Sequence, residues 1–279
     1  MIVWCASYPK SGKTWVKAII SSLLYSEDGI FNFNMLKKVG QFPIRPQFKD
    51  FIKDYSNLKE ISPHWIKAQE KINLDGKLRI FKTHNGNYNL LGNNFTNKKN
   101  TSGVIYIVRD PRNMIASIAN HYQLDLKTST DFLLNESQLL FIANPKGPKY
   151  KSDENILNLI GSWKYHYNSW KISSNLIIIR YEDLIADTKS QIYKLILFLE
   201  KFANFKISNK KIDNIIRTTS FEVLQKKEAK NGFMEAASSK IKFFNLGPRN
   251  TWKNIVDEKL IYKIEKNFKK EMKELNYLY

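Results

Sequence analysis

Four runs of apolar and β-branched residues restrict the fold of this 279-residue chain more than any other feature. IVWCA (2–6), LRIFK (78–82), GVIYIV (103–108) and LIIIR (176–180) are continuous rather than alternating, the pattern of strands buried on both faces. Amphipathic stretches at 13–26, 112–124, 129–143, 154–173, 188–203 and 256–275 lie between and after them. Strands separated by helices pair in parallel, with helices covering both faces of the sheet. The expected fold is therefore a three-layer α/β domain with a central parallel sheet. The length suits one sizeable core, and neither an internal repeat nor a Gly/Ser- or Pro-rich linker divides the sequence, so 1–279 reads as a single domain.

In such sheets ligands bind beyond the carboxyl ends of the strands. Those ends carry Ser7 to Thr14, then Lys82-Thr83-His84, then Arg109-Asp110, and last Arg180-Tyr181-Glu182-Asp183. Cations follow the later three strands, which is the lining of an anion site. The first end, SYPKSGKT (7–14), runs from strand to helix and nearly spells the phosphate loop G-x-x-x-x-G-K-[ST]. Backbone N–H groups of such a P-loop-like strand–loop–helix can cradle a phosphate.

Three details argue against a nucleoside triphosphate there. Pro9 removes one donor N–H, and Ser7 stands where the tight turn expects glycine. Phosphate-loop enzymes also hold Mg²⁺ with an acidic residue ending a neighbouring strand. Here the neighbouring strands end in Arg109 and Arg180, although Asp110 and Asp183 lie close by. An ATP–Mg²⁺-dependent small-molecule or nucleotide kinase thus stays as the second reading.

A formal net charge of +19 raises the question of nucleic acid. Lysines spread over solvated helix faces, as in KKIDNIIRTTSFEVLQKKEAK, account for it as well, and no recognition element accompanies the charge. The single cysteine, Cys5, excludes a disulfide framework, and no apolar run reaches the ~18 residues of a membrane span. The expectation is a soluble cytoplasmic protein with neither nucleic-acid nor membrane partner.

YPKSGKTW (8–15) resembles the 5′-phosphosulfate loop of the sulfotransferases that use 3′-phosphoadenosine 5′-phosphosulfate (PAPS), whose usual form is YPKSGTTW. IFKTHN (80–85) resembles that family's strand ending in K-T-H, and VRDPRNMIASIANHY (108–122) its 3′-phosphate motif. W-x-x-H-x-x-x-W (163–170) with LIIIRYEDL, and TSFEVL (219–224), follow in the family's order. The resemblance implies sulfuryl transfer from PAPS, without metal, to a hydroxyl or amine acceptor.

By that resemblance Lys10 neutralises the bridging and 5′-phosphate oxygens, Ser11, Gly12 and Thr14 donate to the 5′-phosphate, and Lys82 polarises the sulfuryl oxygens. Lys13, where the family has Thr, either contacts the phosphate or faces solvent. Trp15 either stacks on adenine or belongs to the core. His84 is the expected general base, since an imidazole titrating near neutrality suits the acceptor's proton. Arg109 and Ser117 hold the 3′-phosphate, Tyr181 reaches the adenine side, and Thr219 and Phe221 frame the base. His121 is a candidate for the acceptor pocket, His64 is expected to be exposed, and His166 reads as helix packing. Asp110 and Arg112 read as structural pairs, and Glu182 and Asp183 as an N-terminal cap region.

The late segment departs from the family. Where R-K-G-x-x-G-D-W-K-N is common, this chain reads NLGPRNTWKN (245–254). Asn245 and Leu246 replace the basic pair, Gly247, Trp252 and Lys253 survive, and Arg249 is expected to restore one charge. Segments 30–77 and 123–160, rich in aromatics, are expected to wall a small-molecule or saccharide acceptor site.

Overall fold

The computed structural model describes residues 1–140, 156–236 and 240–279. Its centre is a five-stranded parallel sheet built from β1 (Ile2–Ser7), β2 (Gly40–Gln41), β3 (Arg79–Thr83), β4 (Thr101–Val108) and β5 (Leu176–Arg180), in the order β2-β3-β1-β4-β5. β1 is buried at every residue. Ile2, Trp4 and Ala6 enter one hydrophobic core while Val3 and Cys5 enter the other, so the unbroken apolar run reflects two covered faces.

Among the described residues, the α-helices longer than one turn are α1 (Lys13–Tyr25), α2 (Trp65–Asn73), α3 (Pro111–Tyr122), α4 (Leu126–Leu134), α5 (Trp163–Lys171), α6 (Tyr181–Ala186), α7 (Thr188–Leu199), α8 (Asn209–Thr219), α9 (Phe221–Asn231) and α10 (Glu258–Glu274). Local chemistry sets many of their starts. Asp110 caps α3 through the Arg112 N–H with Pro111 in the first turn, and Ser162 caps α5 through the Tyr165 N–H. The chain from β1 leads to β3 on one side, and from there across to β4 on the other. The switch point of the sheet therefore lies at the tip of β1, flanked by the ends of β3 and β4.

The structure corrects several boundaries. The helix expected over 129–143 starts at Leu126, because the Asp125 side chain caps it, and stops at Leu134 where Asn135 turns extended. Leu139–Leu140 then pairs antiparallel with Asn158–Leu159, and residues 141–143 lie outside the described residues. The helix expected over 154–173 begins only at Trp163, after Gly161 at φ 63°, and 154–155 are likewise outside the description. β2 went unread because a two-residue strand carries no periodicity. The lysine-rich stretch read as a solvated face is two helices, α8 and α9, joined at the capping Ser220 and burying Ile212, Ile215 and Leu224.

Candidate active site

The loop after β1 takes two left-handed backbone positions, Lys10 at φ 67° and Gly12 at φ 92°. Lysine gains nothing from that conformation, so the surrounding structure must impose it. Glycine is required at 12 for a second reason, since a Cβ there would lie 2.4 Å from the Tyr181 ring. Helix α1 follows at once and is buried from Lys13 to Leu23, including the two lysines of its first turns. Lys13 donates from Nζ to the Thr83 carbonyl at 3.2 Å, which removes the solvent-facing option. Lys17, one turn on, extends the same cationic face (Nζ–Glu235 Oε1 3.4 Å). Burial, with Arg109 beside it, pulls the Lys10 ammonium down to about 8; burial does the same to Lys17.

His84 directly follows β3 beside this loop. Its Nδ1 lies 2.8 Å from the Ser7 carbonyl. A carbonyl can only accept, so Nδ1 carries the hydrogen and Nε2 keeps a free lone pair. Burial, then the nearby Lys13 ammonium, holds its pKa well below the usual value, so the ring is neutral at neutral pH.

His166 lies on α5, 3.0 Å through Nε2 from the His84 carbonyl, while its Nδ1 accepts from the Tyr106 hydroxyl at 2.8 Å. Four residues on, the Trp170 indole donates to the Asn85 carbonyl at 3.0 Å. The W-x-x-H-x-x-x-W segment is thus a clamp on the K-T-H-N backbone, and His166 does more than pack. The spacing of four, one helix face, was the signal for it.

At the end of β4, Arg109 reaches the Ser117 hydroxyl (3.2 Å) and the Lys10 carbonyl (3.3 Å), and its guanidinium lies 4.3 Å above the Tyr181 ring. Ser117 lies about two turns into α3, and the long Arg109 side chain reaches it along those turns. Asp110 pairs with Arg112 (2.7 Å) and Asp183 with Arg180 (3.0 Å), so both carboxylates near the strand ends already face arginines. Glu182, in the first turn of α6 as expected, also accepts from the Asp110 N–H and the Tyr277 hydroxyl. Trp15 is nearly buried and meets Tyr181 edge-on at 5.9 Å. Thr219 returns its hydroxyl to the Ile215 carbonyl inside α8, and Phe221 packs against Gly247, where a Cβ would come within 2.4 Å of its ring.

The late segment supplies what the sequence hid. Arg249 is exposed and its side chain has no hydrogen-bond or ion-pair partner among the described residues. Its neighbour Asn250 is buried, donating from Nδ2 to the Ser117 hydroxyl at 2.9 Å and to the Asn113 carbonyl at 2.7 Å. At the other end of the loop, Glu235 accepts from Thr14 (2.8 Å) and Lys82 (2.6 Å), and Lys10 places its ammonium 4.0 Å from the Phe243 ring centre. His121 packs edge-on against Phe243 at 5.9 Å, and burial, then Lys10, lowers its pKa to about 3. His64, expected to be exposed, is partly buried and stacks on Phe51 at 5.2 Å. Of the aromatics in 30–77, Phe31, Phe42, Phe48 and Trp65 are buried core residues. Part of the second expected wall, 141–155, is outside the described residues.

Comparison with known proteins identifies the family and the fold. Residues 2–276 match the sulfotransferase domain. Luciferin sulfotransferase of Photinus pyralis is 27% identical over 96% of the chain and 70% of its own length. Sulfotransferase 1E1 of Mus musculus is 28% identical over 96% of the chain and 82% of its own. A mouse sulfotransferase, SULT7A1, complexed with PAP superposes with a TM-score of 0.62 at 22% identity, covering 97% of this chain and 84% of that one, a likeness of fold. With a sulfotransferase-domain match over nearly its whole length, the chain belongs to the sulfotransferase domain family.

Proposed function

We propose that this protein transfers the sulfuryl group of PAPS to a hydroxyl or amine of a small-molecule or saccharide acceptor in the cytoplasm, with His84 as general base. The observation that carries this reading is the fixed tautomer of His84: the Ser7 carbonyl holds the Nδ1 hydrogen, leaving Nε2 as a neutral base. Its site of action is next to Lys82, at the switch point of the sheet.

The residues present fit the donor. Arg109 has a buried Nε without a partner among the described residues, beside its contact with Ser117, which suits a phosphate at the start of α3. The loop Lys10–Thr14 and the α1 N-terminus suit the 5′-phosphate, and the contacts of Trp15 with Tyr181 and of Phe221 with Gly247 support a role for them in framing the base, while Thr219 turns its hydroxyl into α8. When bound, the donor supplies the sulfuryl group and departs as adenosine 3′,5′-bisphosphate. His84 Nε2 takes the acceptor's proton as the acceptor oxygen or nitrogen bonds to sulfur. Lys10 and Lys82 stabilise the charge that returns to the phosphate oxygen as the S–O bond breaks.

The relatives' names, luciferin sulfotransferase among them, support a small-molecule acceptor. A panel of phenols, alcohols, amines and saccharides with radiolabelled PAPS, each in EDTA, tests the reading. Sulfated product with undiminished rate in EDTA is expected. Stabilisation by ATP–Mg²⁺ but not by adenosine 3′,5′-bisphosphate would sink it.

A further inference from the structure

The lysines that the donor needs are already engaged, and by one stretch of chain. Glu235 sits at the tip of β1 with one fifth of its side chain exposed. Its Oε1 lies 2.6 Å from Lys82 Nζ and 3.4 Å from Lys17 Nζ, and its Oε2 accepts from Thr14 at 2.8 Å. Thr14 belongs to the 5′-phosphate loop and Lys82 to the sulfuryl position, so a single carboxylate spans the two places where the phosphosulfate carries its charge. Nearby, Phe243 covers the Lys10 ammonium.

The carboxylate is held there by packing outside the cleft. Gly232 breaks away from α9 at φ 68°, and Phe233 packs on Phe33, Phe243 and Phe244 at ring-centre distances of 4.9, 4.9 and 5.1 Å. Glu228 accepts from the N–H groups of Phe243 and Phe244 and fixes the other arm. Burial works against the Glu235 carboxylate, but the ammoniums of Lys82 and Lys17 overcome it and keep it charged.

We propose that Glu235 is an internal competitor for the donor's phosphosulfate: it occupies the Thr14–Lys82 anion position in the free protein and must leave for the donor to bind, so it sets donor affinity. This inference rests on the PAPS reading above. Four buried or half-buried lysines close together, Lys10, Lys13, Lys17 and Lys82, need a counter-charge in the free protein. An on-board carboxylate provides it, and the donor then binds with an affinity reduced by the fraction of molecules whose site is open.

Calorimetric titration of adenosine 3′,5′-bisphosphate into wild type, Glu235→Gln and Glu235→Ala tests this. Both variants should bind roughly tenfold more tightly, because the open fraction rises towards one. Their ligand-free melting temperatures should fall while the ligand-induced shift grows. Equal or weaker binding in both variants, with wild type still binding, overturns the inference and leaves the donor reading intact. No binding to any of the three overturns the donor reading and this inference with it. A second measurement needs no variant. Carbodiimide labelling of Glu235, read by mass spectrometry, should be slow in free wild type and faster when saturated with adenosine 3′,5′-bisphosphate; labelling that is unchanged or slowed overturns the proposal.

Discussion

Around the tip of β1 lie Lys10, Lys13, Lys17 and Lys82, the last two paired with one carboxylate, Glu235, whereas the start of α3 offers one guanidinium, one hydroxyl and one amide, from Arg109, Ser117 and Asn250. The first end is rich in positive charge, largely shielded from water and offset in part by that one carboxylate. The second is poor in charge and relies on hydrogen bonds. On the proposed reading, binding at the first end is an exchange of one anion for another, while at the second a phosphate meets a single cation. The difference teaches that two phosphate positions in one cleft need not share a strategy. Their responses to pH and to mutation should differ accordingly.

The largest effect belongs to the cationic end and should appear in turnover. His84→Ala is expected to lower kcat roughly 10²-fold or more with a weakly acidic alcohol, and less with an acidic phenol. Binding of adenosine 3′,5′-bisphosphate should change little, since His84 works on the acceptor's proton. Full turnover with the alcohol would remove it from the chemistry.

Next comes Arg109→Ala, which strips the sparse end of its cation. Losing one charge-assisted contact costs about 1.5–3 kcal/mol, or roughly 10- to 150-fold in Kd for adenosine 3′,5′-bisphosphate. Adenosine 5′-phosphate, without the 3′-phosphate, should lose much less. Equal losses for the two ligands would erase the contrast between the ends.

A pH series separates the ends without mutation. Lys10 and Lys17, at about 8 in the free protein, are mostly protonated at pH 7 and mostly neutral at pH 9. Donor binding favours the charged forms, so affinity should fall as pH rises, by up to about tenfold per pH unit per lysine above 8. Arg109 keeps its charge throughout. Affinity for adenosine 3′,5′-bisphosphate that is flat from pH 7 to 9 would show that the lysines do not carry the binding.

The smallest effects distinguish two neighbours. Asn250→Ala should weaken adenosine 3′,5′-bisphosphate several-fold, within the ~0.5–1.5 kcal/mol of a neutral hydrogen bond. Arg249→Ala should change it less than about twofold, as expected of an exposed charge screened by salt. The reverse order would restore the relocated-arginine reading of the late segment.

Much of the proposed donor site is legible in the sequence because its parts are local. A strand, a turn and a helix start within 2–25 leave their periodicity and turn chemistry in adjacent residues, and so do K-T-H after β3 and Arg109 before α3. Asn250 was passed over because its signal was negative: an asparagine where the family keeps a glycine, one place beyond the arginine that charge-matching favoured. His166 gave a spacing of four with Trp170 but no hint of what that face meets.

By itself the sequence determined the parallel sheet, the order of its loops and the residues at each strand end, because buried strands and helix starts follow from short-range pattern. Only the tertiary structure decided which tautomer His84 holds, which late residue reaches Ser117 and what faces the lysines. Those depend on side chains 77, 133 and 153 residues apart in the chain, from the Ser7 carbonyl to His84, Ser117 to Asn250 and Lys82 to Glu235. Contacts across such separations are set by how the layers pack, and packing leaves no period in the chain to read.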